Sequence, residues 1–208
     1  MKPQTTINTI RHAHTAYNHE KRYAGTLDIS LNERGIQESR EAAQQLRKQH
    51  FDVVISSTMK RSIETAELLV GHRTPILTSR LCCERNFGIL EGLTWDDVQH
   101  LDPPVLLIEV GGDLHTVNPR GGEPLEDVWQ RAKKFRNFLF NHHAGQNILV
   151  VSHGVFLQML HGVLRGSSCI ESLVQYPANL ELYTFQFSGK QLVSDTSTKL
   201  IHAGEVKW

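Results

Sequence analysis

Short apolar runs alternate with amphipathic stretches along most of the chain. Thr6-Ile7-Asn8-Thr9-Ile10 has a period of two, which predicts a half-buried strand stopping in a loop at Arg11-His12. The polar, turn-rich segment from Tyr17-Asn18 to Tyr23-Ala24-Gly25-Thr26-Leu27-Asp28 is expected to lie as a loop over that strand end. Asn32 offers an N-cap, and a helix to about Gln49 should turn Ile36, Ala43 and Leu46 inward. Phe51 to Ile55 predicts a second strand, Met59, Ile63, Ala66 and Leu69 a helical face, and Thr74 to Ser79 a further strand.

Trp95 to Leu101 has helical character that Asp102-Pro103-Pro104 ends, because proline cannot continue the backbone ladder. From about 102 to 122 the pattern is irregular, with Gly111-Gly112 and Pro119-Arg120-Gly121-Gly122 as breakers. This stretch is expected to be a short lid-like insertion in which Val105 to Val110 is either helix or strand. Glu123 to His142 then shows a strong helical stripe of Leu125, Val128, Trp129, Ala132, Phe135 and Leu139. Asn147 to Ser152 predicts a buried strand and Val155 to Leu164 a helix, with Leu180 to Phe187 and Lys199 to His202 as edge strands. Strand and helix in alternation place the chain in the α/β class, and a single domain over 1–208 is expected.

Composition narrows the function classes. With 208 residues the chain can bury a sizeable core. Its 22 basic and 22 acidic residues cancel, and no long run of one sign appears. Neither nucleic acid nor a membrane surface is therefore expected as a partner. Cys82, Cys83 and Cys169 show no metal-ligand spacing, and adjacent cysteines rarely bridge each other, so reduced thiols are expected. The start Met-Lys-Pro-Gln-Thr-Thr lacks the apolar core of a signal peptide, and no apolar run approaches the roughly 18 residues of a membrane span. A soluble, cytoplasmic protein is the expectation.

The candidate chemistry sits at the predicted strand ends. Arg11-His12 closes the first strand, Ser56-Ser57-Thr58-Met59-Lys60-Arg61 follows Val53-Val54-Ile55, and Ser152-His153-Gly154 follows Val150-Val151. The carboxyl edge of a parallel sheet opens onto the crevice where α/β proteins bind ligands. A fourth stretch, Leu81-Cys82-Cys83-Glu84-Arg85-Asn86-Phe87-Gly88-Ile89-Leu90-Glu91-Gly92, lies between them. In order and spacing, across about three quarters of the chain, these stretches resemble the histidine phosphatase superfamily, also called the phosphoglycerate mutase-like family. Its pattern runs R-H-G-x-T-x-x-N, S-S-x-x-x-R-x-x-x-T-A, L-x-x-E-x-x-x-G-x-x-E-G and S-H-G.

The resemblance implies a three-layer α/β/α sandwich with a mostly parallel central sheet, and a metal-independent phosphatase for small phosphomonoesters. His12 is the implied nucleophile, forming a phosphohistidine. For that its reacting nitrogen must be unprotonated, which two neighbouring arginines favour by opposing the imidazolium. Arg11 and Arg61 supply planar cations for the phosphoryl oxygens, and His153 a hydrogen bond to the same oxygens. Glu84 is the implied acid for the leaving oxygen. Asn18, Thr26, Arg85 and Gly154 are implied substrate contacts. Thr15, Thr65-Ala66 and Glu91-Gly92 read as structural. No cofactor and no metal are implied. The expected partner is a phosphorylated small-molecule metabolite, with a homodimer left open.

Two residues depart from the pattern. Ala13 stands where the family has Gly, and His14 where many members have Glu. If position 13 needs a positive φ, alanine costs on the order of 1 kcal/mol there. Pro119-Arg120-Gly121-Gly122-Glu123-Pro124 resembles the P-x-G-G-E-[ST] stretch of the phosphatase branch. Between Asp102 and Gly122 only Arg120 is an arginine, where the mutase branch has a longer, arginine-rich lid. A cofactor-dependent phosphoglycerate mutase is the second reading. A histidine-rich metal-binding module and a catalytically weak phosphate-binding protein are the third and fourth.

Overall fold

The structure, a computed structural model, describes residues 3–71 and 74–201. Four parallel strands form one side of its main sheet: β1 (Gln4–Arg11), β2 (Val53–Ser56), β3 (Ile76–Thr78) and β6 (Asn147–Ser152). Two antiparallel strands, β7 (Glu181–Ser188) and β8 (Gln191–Lys199), complete it in the order β3-β2-β6-β1-β7-β8. Between the strands run α1 (Ala16–His19), α2 (Glu33–Leu46), α3 (Lys60–Val70), α4 (Trp95–Gln99), α5 (Leu125–His142) and α6 (Gly154–Arg165).

Alternating side chains of the central strands feed two cores, which makes the mixed α/β fold three-layered. Ile7, Ile55, Ile148 and Val150 join Val128, Phe135 and Leu139 of α5 and Phe156 and Leu160 of α6. Ile10, Val54, Leu149 and Val151 join Ala42 and Leu46 of α2 and Ala66 and Leu69 of α3. Each large apolar side chain fully removed from water contributes about 1.5–3 kcal/mol, so this packing holds the strand ends rigidly. The α5 stripe is buried as its period predicts, with Trp129 only half-buried at its margin.

Four expectations are corrected. First, the buried face of α2 is broader than expected: Leu46 is buried and Ile36 packs half-buried against the same core, but Gly35, Glu38, Ser39 and Ala42 are buried too, and Ala43 is only half-buried. The cause is at its first turn, where a side chain at residue 35 would collide with the His14 carbonyl. Second, Glu181–Ser188 is not an edge strand, because β8 pairs along it. Third, β8 precedes the expected Lys199–His202 strand and ends at Lys199; His202 lies outside the described residues. Being almost wholly exposed and polar, β8 carries no apolar alternation to reveal it, and such an edge resists pairing with other chains. Fourth, the stretch at 102–122 is more regular than its pattern, and of the two forms open for Val105 to Val110 the strand is the one that forms, at Leu107–Val110. The stretch folds as an antiparallel hairpin of β4 (Leu107–Val110) and β5 (Asp113–Thr116), turned by Gly111 and Gly112 at positive φ.

Among the described residues no helix is long and apolar enough to cross a membrane. Cys82, Cys83 and Cys169 are free thiols.

Candidate active site

The order β2-β6-β1 sets three carboxyl ends side by side. Arg11 pairs with Ser152 and Ser56 with Val151, so His12, Ser57 and His153 emerge from adjacent strands at one level. The backbone extends this order by one residue on each side, with His12 N donating to Ser152 O at 2.8 Å and Ser57 N to Val151 O at 3.2 Å. The rings of His12 and His153 lie 5.2 Å apart between centroids, close enough for both to reach one phosphoryl group.

His12 is 4% exposed, and its Nδ1 donates to the carbonyl of Ala13 at 2.8 Å. That bond assigns the ring proton to Nδ1 and the lone pair to Nε2. Burial lowers its pKa well below the usual histidine value, and the charges of Arg61 and Arg11 push the same way. His153 is held neutral for the same reasons, burial first, then Arg61, His12 and Arg11. Its Nε2 lies 2.7 Å from Ser57 Oγ, while Nδ1 is buried without a hydrogen-bond partner among the described residues.

Arg61 lies in the first turn of α3 and is fully buried. Its Nη1 donates to Leu27 O and its Nη2 to Gly25 O, both at 2.8 Å, so it also pins the loop over the strand ends. Arg11 donates from Nη1 to Pro177 O at 3.2 Å and stacks its guanidinium 4.9 Å from the Tyr176 ring centroid. Glu84 is 8% exposed, and its carboxylate accepts from the backbone N–H of Arg85 (2.9 Å), Phe156 (3.1 Å) and Val155 (3.3 Å). The last two are free donors of the first turn of α6, whose N-cap, His153, contributes no side-chain cap. Glu84 and His153 are therefore fixed by the same helix end.

Asn18 forms a reciprocal capping box with Thr15 and is buried just after the His12 loop. Its Oδ1 accepts from Thr15 N and Oγ1, which orients the amide nitrogen as its outward donor. Three other expected contacts have different partners. Thr26 directs both its N–H and its hydroxyl at the Glu91 carboxylate, 2.7–3.0 Å away. Arg85, 1% exposed, donates to Glu123 O, Thr116 O and Oγ1, and Val117 O. Thr26 thereby ties the overlying loop to Glu91, and Arg85 ties the insertion to the segment after Glu84. Gly154 makes room: a Cβ there would collide with the Tyr176 hydroxyl.

Ala13 carries no positive-φ penalty. The non-glycine residues in that region are Lys21 and Leu180 among those described. The Ala13 N–H donates to Thr65 Oγ1 at 3.1 Å, and Thr65 in turn donates to Arg61 O at 2.6 Å, which links the His12 loop to α3. His14 accepts from Asn32 Nδ2 at 3.1 Å, so it anchors the start of α2.

Sequence reasoning missed the 176–180 segment. Asn179 Nδ2 donates to His12 O at 2.6 Å, Leu180 N donates to Arg11 O at 3.1 Å, and Tyr176 underlies Arg11. These residues reach the site because β7 runs antiparallel to β1, so its beginning lies beside the end of β1. No local signal marks such a placement. Among the described residues no three His, Cys, Asp or Glu side chains gather as a metal-ligand group.

Comparison with known proteins gives a consistent picture. The sequence profile of the histidine phosphatase superfamily (branch 1) matches residues 7–197. Phosphoglycerate mutase-like protein 4 of Arabidopsis thaliana is 30% identical over 165 residues, 78% of this chain and 72% of that protein. Phosphoserine phosphatase 1 of Hydrogenobacter thermophilus is 32% identical over 158 residues, 76% of this chain and 74% of that one. In fold, the chain is similar to the alpha-ribazole phosphatase of Shigella flexneri, with a TM-score of 0.82 at 24% identity, covering 96% of this chain and 100% of that one.

Proposed function

We propose, for a chain that belongs to the histidine phosphatase superfamily, hydrolysis of small phosphomonoesters to an alcohol and inorganic phosphate through a phosphohistidine on His12. The observation that carries this reading is the Nδ1–H bond from His12 to Ala13 O in a ring kept neutral by burial and by two arginines. Nε2 is then a lone-pair nucleophile that needs no base. It attacks phosphorus in line, the P–O bond to the alcohol breaks, and Glu84, once protonated, gives its proton to the departing oxygen. Arg11, Arg61, His153 and the Asn18 amide surround the three equatorial oxygens as charge spreads over them. Water then attacks the phosphohistidine with Glu84 accepting its proton, phosphate leaves and Nε2 regains its lone pair.

A mutase must keep the phosphohistidine dry and grip the non-reacting end of its substrate. The insertion supplies Asp102, Glu109 and Asp113 against Arg120 alone, and the Arg85 guanidinium is buried against the carbonyls of Thr116, Val117 and Glu123. A second anionic group thus meets little attraction and some repulsion. The mutase-like relatives make the second reading worth a direct test. With 3-phosphoglycerate and catalytic 2,3-bisphosphoglycerate, free phosphate is expected to form faster than 2-phosphoglycerate. Isomer forming much faster than phosphate would make this chain a mutase. A panel of phosphorylated metabolites read by free phosphate then ranks the alcohols it accepts.

Tyr176 offers a second measurement on the same reading. Its ring underlies Arg11, a cation–π contact worth about 0.5–2 kcal/mol. Tyr176→Ala should lower kcat/KM by roughly three- to thirtyfold, whereas Tyr176→Phe, which keeps the ring, should stay within about threefold. Equal losses in the two variants would show that the hydroxyl, not the ring, matters.

A further inference from the structure

Ser57 is fully buried at the end of β2 and has no part in the steps above. Its Oγ has two partners: it accepts from Met59 N–H at 3.3 Å and lies 2.7 Å from His153 Nε2. The short contact allows two arrangements. If Nε2–H donates, the hydroxyl accepts twice and its own hydrogen is left in a buried place with no acceptor, which forfeits the full desolvation of that group. If the hydroxyl donates to Nε2, both atoms of the contact are satisfied and only one group of the pair, the other ring nitrogen, is left without a partner, against two in the first arrangement. His153 then carries its one ring proton on Nδ1, the buried atom that has no partner among the described residues. Its ring centroid is 5.2 Å from that of His12, where the phosphoryl group must sit.

We infer that Ser57 is a positioning residue that fixes the Nδ1–H tautomer of His153 and so turns a neutral ring into a hydrogen-bond donor for the phosphoryl group being transferred to His12. The role assigned to the donated bond rests on the phosphatase reading; the tautomer itself does not. Burial and the nearby Arg61 disfavour a second ring proton, so the choice between nitrogens decides whether His153 donates or accepts at the phosphate. A wrong tautomer would aim a lone pair at anionic oxygens.

The test has two arms. In protein labelled with 15N at histidine ring nitrogens, long-range proton–nitrogen correlation at neutral pH should show His153 Nδ1 protonated and Nε2 as the bare nitrogen. Ser57→Ala should move the ring toward the Nε2–H form. A wild-type ring in the Nε2–H form overturns the inference, as does a tautomer unchanged by Ser57→Ala. The wild-type spectrum decides the matter even if Ser57→Ala does not fold. In the second arm, with p-nitrophenyl phosphate, Ser57→Ala should lower kcat/KM on the order of tenfold, the size of one buried hydrogen bond. The same change in a His153→Ala background should cost nothing further, since Ser57 acts through that ring. Multiplicative losses in the double variant overturn the inference. Absence of turnover by the wild type would instead overturn the phosphatase reading, leaving the spectrum to judge the tautomer.

Discussion

Replacing His12 with alanine is expected to lower kcat/KM on simple phosphomonoesters by roughly a thousandfold or more, because a covalent route loses its nucleophile and no neighbour can substitute. His153 sits 5.2 Å away, but its lone pair faces Ser57, and Glu84 is held by three backbone donors of its own. The fold should survive. What fixes the chain at this point is backbone: His12 N to Ser152 O, Asn179 Nδ2 to His12 O and Ala13 N to Thr65 Oγ1. Among the described residues the ring itself bonds only to the adjacent Ala13 carbonyl, so its loss costs packing of roughly 1–3 kcal/mol. Release of p-nitrophenol and a far-ultraviolet thermal melt check the two halves. A variant that keeps more than about a hundredth of wild-type turnover would remove His12 from the nucleophile role.

The second large effect is on stability below neutral pH. His12, His153 and His161 are buried with pKa values pushed down, that of His161 to about 3. Burial is the main cause in each, joined at His161 by the charge of Arg165. In the unfolded chain all three return to about 6.5. Between those limits the unfolded state binds more protons than the folded one, so stability is full above about pH 6.5 and falls as pH drops toward the folded pKa values. Each ring contributes up to about 1.4 kcal/mol per pH unit, and three together up to about 4 kcal/mol per unit. Against a typical stability of about 5–15 kcal/mol, the protein should unfold within a few pH units of neutrality. Urea titrations at pH 7, 6 and 5 measure the slope directly. Equal unfolding free energies at pH 7 and pH 5 would mean that the rings gain protons in place. His161, wedged 4.3 Å from the Tyr183 ring and 2.7 Å from Thr9 Oγ1, isolates one third of the effect without touching the phosphate pocket. Thr9→Val with His161→Phe should reduce the slope accordingly.

The legible parts of this protein are those in which local chemistry and global fold ask for the same thing. Asn147–Ser152 reads as a buried strand because both faces of a central parallel strand are covered, and the Leu125–Leu139 stripe reads as a helix because one face is. Asn32 caps α2 through Gly35 N as its position suggests. Arg11, His12 and His153 follow apolar runs directly, whereas Arg61 and Glu84 stand out only through the order and spacing of the motifs that resemble the histidine phosphatase superfamily. The polar edge strand β8 gave no such signal, since an exposed edge needs no alternation.

Which residues flank the reacting group is a different matter. Tyr176 and Asn179 lie more than 160 positions from His12 and reach it only because β7 is antiparallel to β1. Arg85 and Thr26 lie within the motif stretch or beside the site, yet their donors are claimed by carbonyls and a carboxylate that approach from elsewhere in the fold. The alternation of apolar positions thus determined the layers, and the strand ends determined where chemistry would sit. Sheet order and the long-range partners of each donor decided which side chains come together at those ends, because a hydrogen bond depends on distances set by the whole chain.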